Sequence, residues 1–334
     1  MLCRTKCLNS RSNQAESQAL KGIAAILMLN IVTTIVPIFV IILLGWLARV
    51  YGFIRTDFIA PANRLVFYLA IPAMIFRSIS KTSLNGHFDL WVVALSLLSI
   101  CLVFCIAWTC GYIAHVPRRQ RGTFIQNSFH GNMGYIGLAV SFYYLGSEGF
   151  VRASILAGFL MILQNFLAVI ALQVHAENDS SSPNRWMAVL KIVGNPIILS
   201  ALAGILVSMS AVPVPLVVGR CLDILSNMAL PLALLIIGAS LSFDMLQSRL
   251  MAVLSNGMLK LLLLPGIGYT LYRLCGLRPE SSLFGVILLA SPTATVTYVM
   301  AREMGGDSEF AVAAISLNTL LSALTYTIWL SVLG

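Results

Sequence analysis

The sequence predicts an all-α polytopic membrane protein of ten transmembrane helices, built as two inverted five-helix repeats. Three observations predict it. The composition is 59% hydrophobic and only 10% charged, whereas soluble domains are about half apolar and about a quarter charged. Stretches free of Asp, Glu, Lys and Arg follow one another almost without gaps. A constant register relates the second half of the chain to the first.

A helix needs roughly 20 apolar residues to cross the hydrocarbon core. Eight charge-free stretches meet that length: Gly22 to Ala48, Leu90 to Pro117, Gly122 to Ser147, Ala153 to Ala176, Ile192 to Gly219, Ile224 to Phe243, Ser281 to Ala301 and Phe310 to Gly334. Two more carry one charge each, Phe58 to Phe76 with Arg64 near its start and Leu250 to Tyr272 with Lys260 near its middle. All are rich in Leu, Ile and Val without period-2 alternation, so helices fit and a barrel does not.

The formal charge of +9 does not mark a nucleic-acid binder, because the basic residues are scattered through short loops with no stripe and no motif. Lys and Arg divide ten and ten between the two sides when Lys260 is set aside as intramembrane, so the positive-inside rule alone leaves orientation open. Arg4, Lys6, Arg11 and Lys21 lie in a polar leader, residues 1–22, read as a disordered tail. It lacks the small-residue cleavage site of a signal peptide. A start at Met28 would leave a charge bias placing both termini outside. The seven cysteines have no metal-ligand spacing. Cys101 and Cys105 share a helical face with no His or carboxylate beside them, and read as small buried hydrophobes. No cofactor, metal site or catalytic residue is expected.

Residues 23–174 form the first expected repeat, 175–188 a linker loop with the run Asn-Asp-Ser-Ser-Ser-Pro-Asn, and 189–334 the second repeat. A shift of 159 to 160 residues matches Pro37 with Pro196, Gly45 with Gly204, Ala70 with Ala229, Pro72 with Pro231, Phe124 with Phe284, Gly146 with Gly306 and Phe150 with Phe310. Each unit has an odd number of spans, so the second copy enters the membrane from the opposite side. Inverted repeats of this kind typify secondary transporters, which rock one element against another around a midplane site.

Substrate sites in such folds lie where corresponding helices unwind. The fourth span carries Gly131-Asn132-Met133-Gly134-Tyr135-Ile136-Gly137, and each glycine weakens a helix by about 1 kcal/mol relative to alanine. At the equivalent point the ninth carries Ser291-Pro292-Thr293-Ala294-Thr295-Val296-Thr297, where proline removes a donor and clashes with the preceding turn. The repeat register sets Asn132 opposite Pro292. Both breaks offer backbone groups beside hydroxyl or amide side chains, which makes Asn132, Gly134, Ser291, Pro292, Thr293 and Thr295 candidate substrate ligands. The same residues would also permit close helix packing.

At these residues the chain resembles the auxin efflux carrier family, in its bacterial malate and malonate permease branch. The resemblance runs from Pro37 to the C-terminus. It is most specific over Ala290-Ser291-Pro292-Thr293-Ala294-Thr295-Val296-Thr297-Tyr298-Val299-Met300-Ala301-Arg302-Glu303, with support from Asn63 and Pro72 in the second span and Lys260 and Pro265 in the eighth. It implies a scaffold of spans one, two, six and seven, and a transport unit whose fourth and ninth helices cross at their breaks. It also implies termini outside, the central loop in the cytoplasm, Asn132 at the first crossing point and Pro292 at the second, and it adds Asn63 to the candidate ligands. The chain departs from plant members in having glycines for a proline at the first break and Thr297 for a second proline in the ninth span. Plant auxin recognition therefore does not carry over.

All twelve acidic residues fall in the tail, in loops or at span ends. A cation site would want one in mid-membrane. A mid-membrane Lys costs roughly 2.5 to 3.5 kcal/mol on insertion scales, so Lys260 faces protein or water and answers either an anionic substrate or neighbouring carbonyls. Gln126, Asn127, Gln164, Asn165 and Asn318 read as interhelical glue. The expected function is a carrier of small organic anions across the inner membrane. The expected partners are that anion, the bilayer, a coupling proton or sodium ion, and a second copy in a homodimer. His130 is the titratable group near the first break, while sodium at unwound carbonyls would follow the distantly similar bile-acid sodium symporters. A passive channel or sensor of carrier-like fold is the alternative. An intramembrane protease would need a Ser291–Lys260 pair that nothing else in the sequence supports.

Overall fold

The computed structural model describes residues 25, 28–81, 89–176, 196–210, 213–244 and 246–333. The polar tail and, apart from His175 and Ala176, the central loop lie outside them. Among the described residues the secondary structure is helical, with no strand longer than one isolated bridge. Seven helices are long and apolar enough to cross a membrane: α1 (Met28–Val50), α2 (Thr56–Ser80), α3 (Leu90–Ile113), α5 (Met133–His175), α7 (Leu216–Ser240), α8 (Arg249–Leu274) and α11 (Ser308–Leu333). Between them stand four shorter helices: α4 (Arg118–Phe129), α6 (Pro196–Ser210), α9 (Pro279–Leu289) and α10 (Val296–Glu303).

The sequence explains where these helices start and deform. Asp89 caps α3, its carboxylate accepting from the amides of Trp91 at 2.9 Å and Val92 at 3.3 Å. Pro72 and Pro265 each follow a wide π turn, Val66–Ala70 in α2 and Met258–Leu263 in α8. A proline clashes with the carbonyl four residues back, and one widened turn absorbs that clash. Within α5 the helical path breaks at Gly146, with φ 69°. This lies at the end of the fourth expected span and just before the fifth, so one long element carries the end of one and all of the other.

Packing divides the helices into two groups. In the first, α2 packs against α6 and α7, and Arg49 at the end of α1 donates to the Ala239 carbonyl of α7 at 2.8 Å. A Cβ on Gly238 would strike the Ile42 carbonyl of α1, so glycine is what permits this approach. In the second, α3, α4, α5, α8, α9, α10 and α11 pack on one another. The α4 helix is the unusual member. It is polar by composition, yet Gly122 to Phe129 are all buried, which is where polar side chains in a membrane protein find partners.

Candidate functional site

The α4 helix ends at Phe129, and residues 130–132 leave helical geometry, with ψ of 94° at His130 and 61° at Asn132. The chain resumes at Met133, where the amides of Ile136 and Gly137 both donate to the Asn132 carbonyl, at 3.1 and 3.0 Å. The second break begins after Leu289 and lasts until Val296. Here Pro292 has no amide to give, and glycine or proline at each break lowers the cost of leaving the helix.

The two breaks meet backbone to backbone. Asn132 donates its amide to the Pro292 carbonyl at 2.6 Å, and Ala294 donates to the His130 carbonyl at 3.0 Å. Gly131 and Thr293 are thereby paired as an antiparallel bridge. Peptide groups freed by one helix are satisfied by the other, as buried backbone at membrane depth requires. Gly131 has no room for a side chain: an added Cβ would collide with Ser291 Oγ and lie 3.0 Å from Lys260 Nζ.

Behind the bridge lies a polar strap. Lys260 is fully buried and donates to the Leu289 carbonyl at 2.8 Å, at the last turn of α9. Ser291 Oγ donates to the Leu288 carbonyl at 2.7 Å. Thr293 Oγ1 donates to the Asn127 carbonyl at 3.2 Å and accepts from Asn318 Nδ2 at 2.8 Å. Asn318 Nδ2 also reaches Asn256 Oδ1 at 3.2 Å, and Asn256 Nδ2 donates to Ser128 Oγ at 2.8 Å. Helices α4, α8, α10's leading loop and α11 are tied together through side-chain amides. Gln164 of α5 adds a bond to the Phe129 carbonyl at 3.2 Å.

In front of the bridge is a cavity of about 280 Å³, walled by the crossing on one side and by α2 and α6 on the other. Its lining includes Asn63, Asn132, Gly134 and Thr295, four of the eight candidates. Asn132 is buried and its Nδ2 has no hydrogen-bond partner among the described residues. Asn63 is bridged to the crossing: Tyr135 donates its hydroxyl to Asn63 Oδ1 at 2.5 Å. The other four candidates, Ser291, Pro292, Thr293 and Lys260, do not line the cavity. They hold the crossing together from behind. The lining also contains Arg64, His130, Tyr135 and Asn165, which sequence reasoning did not place among the ligands. Arg64 and Asn63 are adjacent, and a charge inside an apolar span was the available signal. Among the described residues no three His, Cys, Asp or Glu side chains are grouped to hold a metal.

Comparison with known proteins finds membrane transporters. The family model for membrane transport proteins matches residues 30–181 and 173–330. An uncharacterized transporter of Methanothermobacter thermautotrophicus is 27% identical over 90% of this chain and 97% of its own. A protein of Rhizobium meliloti named "Putative malonate transporter" is 27% identical over 90% of this chain and 95% of its own. An uncharacterized transporter of Methanocaldococcus jannaschii is 23% identical over 87% and 95%. With both halves matched by the model and paired at the bridge between two broken helices, the chain belongs to the membrane transport protein family.

Proposed function

We propose that this chain is a secondary transporter that moves small organic anions, mono- or dicarboxylates, across the inner membrane by alternating access. The observation that carries the reading is the Gly131–Thr293 bridge, two helix breaks pairing their backbones beside a cavity. Unwound backbone at membrane depth is tolerated only against protein or water, and half-helices meeting at a midplane cavity are a transporter's way of building a site. In this reading α4 with the first part of α5 makes one crossing and α9 with α10 another. The count becomes ten, in two inverted halves, as in the auxin efflux carrier branch that the sequence resembles. Both termini then lie outside and the central loop in the cytoplasm.

Asn63, Asn132, Gly134 and Thr295 contact the substrate. Ser291, Pro292, Thr293 and Lys260 position the crossing. Burying the Lys260 ammonium beside the bridge biases the site toward anions, since no acidic side chain lines the cavity among the described residues. The Rhizobium meliloti relative's name supports malonate as the first probe. A screen of labelled mono- and dicarboxylates in proteoliposomes, with and without proton or sodium gradients, tests the reading. Saturable uptake of at least one carboxylate is expected. Uptake of none, or of neutral and cationic solutes alone, would remove it.

A further inference from the structure

The cavity holds one charged side chain that the strap and the bridge do not use. Arg64 is the ninth residue of α2, about 12 Å along a span at 1.5 Å per residue, two residues before the π turn Val66–Ala70 begins. A cation at such depth is costly unless it reaches water or an anion. Arg64 faces the cavity together with Asn63, Phe67 and Tyr68, positions that share one helical face. No acidic residue lines that cavity, and among the described residues Arg64 enters no ion pair. Two other arginines do meet carboxylates, Arg77 with Asp223, and Arg249 with Asp307 and Glu309. Across the cavity the buried Asn132 leaves its side-chain Nδ2 unpartnered. An exposed guanidinium outside any ion pair and a buried, unpartnered amide donor therefore line one cavity.

Resting on the carrier reading above, we propose that Arg64 is the anion anchor of the site, its guanidinium fork taking both oxygens of the substrate carboxylate while the Asn132 amide donates to the same bound anion. Planar bidentate recognition is what arginine does better than lysine. The anchor lies on α2 and the amide on the crossing, so the anion spans the two packing groups and couples them. The Tyr135–Asn63 hydrogen bond fixes the same turn of α2 against the crossing and sets the distance the substrate must bridge.

The test uses full-length protein in proteoliposomes with labelled malonate, or with whichever carboxylate the screen returns, and purified protein for malonate-induced thermal shift. Arg64→Gln is expected to raise KM by about 10- to 100-fold, the range for losing one charge-assisted contact, and to abolish the thermal shift. Arg64→Lys keeps the charge, loses the fork, and is expected to fall between Gln and wild type. Arg55→Gln, an exposed arginine at the start of α2 outside the lining, controls for general positive potential and is expected to match wild type. Normal KM and thermal shift in Arg64→Gln would overturn the anchor while leaving the carrier intact. Should Arg64→Gln fail to insert, Arg64→Lys decides: unchanged KM overturns the proposal. Wild-type protein that takes up no carboxylate would overturn both readings at once.

Discussion

Asn132 does two jobs with different atoms. Its main chain closes the bridge, donating to Pro292 and accepting from Ile136 and Gly137, while its side-chain amide remains unpartnered at the cavity. Asn132→Ala keeps the first and removes the second, so substrate KM should rise by about 10-fold, the order of one hydrogen bond in a desolvated site, with expression unchanged. Uptake kinetics at equal protein check it, and an unaltered KM would place the ligand elsewhere. Lys260 is the opposite case. Its ammonium is engaged with the Leu289 carbonyl and does not line the cavity. Lys260→Met should therefore lower turnover and thermal stability more than it alters KM. A large change in KM at normal turnover would restore Lys260 as a direct ligand.

At the level of elements, the crossing depends on a strap that ties α4, α8 and α11 to the second break. Thr293→Val removes the acceptor for Asn318 Nδ2 and the donor to the Asn127 carbonyl. Interhelical bonds in membranes contribute about 0.6 kcal/mol on average and up to about 1.7, so a loss of roughly 1 to 2 kcal/mol is expected for the pair. Denaturation of purified protein should register it, whereas unchanged stability would mean that the strap carries no weight. Gly131→Ala should be worse, because its methyl group meets Ser291 and Lys260.

The breaks were legible in the sequence because glycine and proline act locally: three glycines in the run from Gly131 to Gly137, and Pro292, declare a failing helix whatever surrounds them. Their meeting was legible through the repeat register, which set Asn132 opposite Pro292, and through the family resemblance, which implies that the two helices cross at their breaks. Beyond the breaks, only Asn63 was named among the lining residues, through the resemblance. Arg64, Tyr135 and Asn165 reach the cavity through the packing of α2 against α5, which no local pattern encodes. Nor did the presence of Lys260 in mid-span disclose which way its ammonium turns. A buried cation bonded to a carbonyl and one bonded to a substrate look the same in sequence.

Across the whole molecule, the seven long helices establish a multi-pass membrane protein, and the number of crossings follows from how the shorter ones are counted. If α4 with the start of α5 and α9 with α10 are each one broken crossing, a reporter inserted in the 177–186 loop should be cytoplasmic and one after Gly334 external. Opposite signals would overturn this orientation, and both reporters on one side would overturn the ten-crossing count. The two packing groups, joined at the Tyr135–Asn63 bond, are the pieces whose relative motion would expose the cavity to alternate sides. A channel built from the same helices would need no such motion. Counterflow separates the two most directly: proteoliposomes preloaded with unlabelled malonate, or with another carboxylate that the screen returns, are diluted into a trace of the labelled compound. A saturable, transient accumulation of label above its external concentration is expected of a carrier whose crossing alternates. Linear, unsaturable equilibration without overshoot would contradict it.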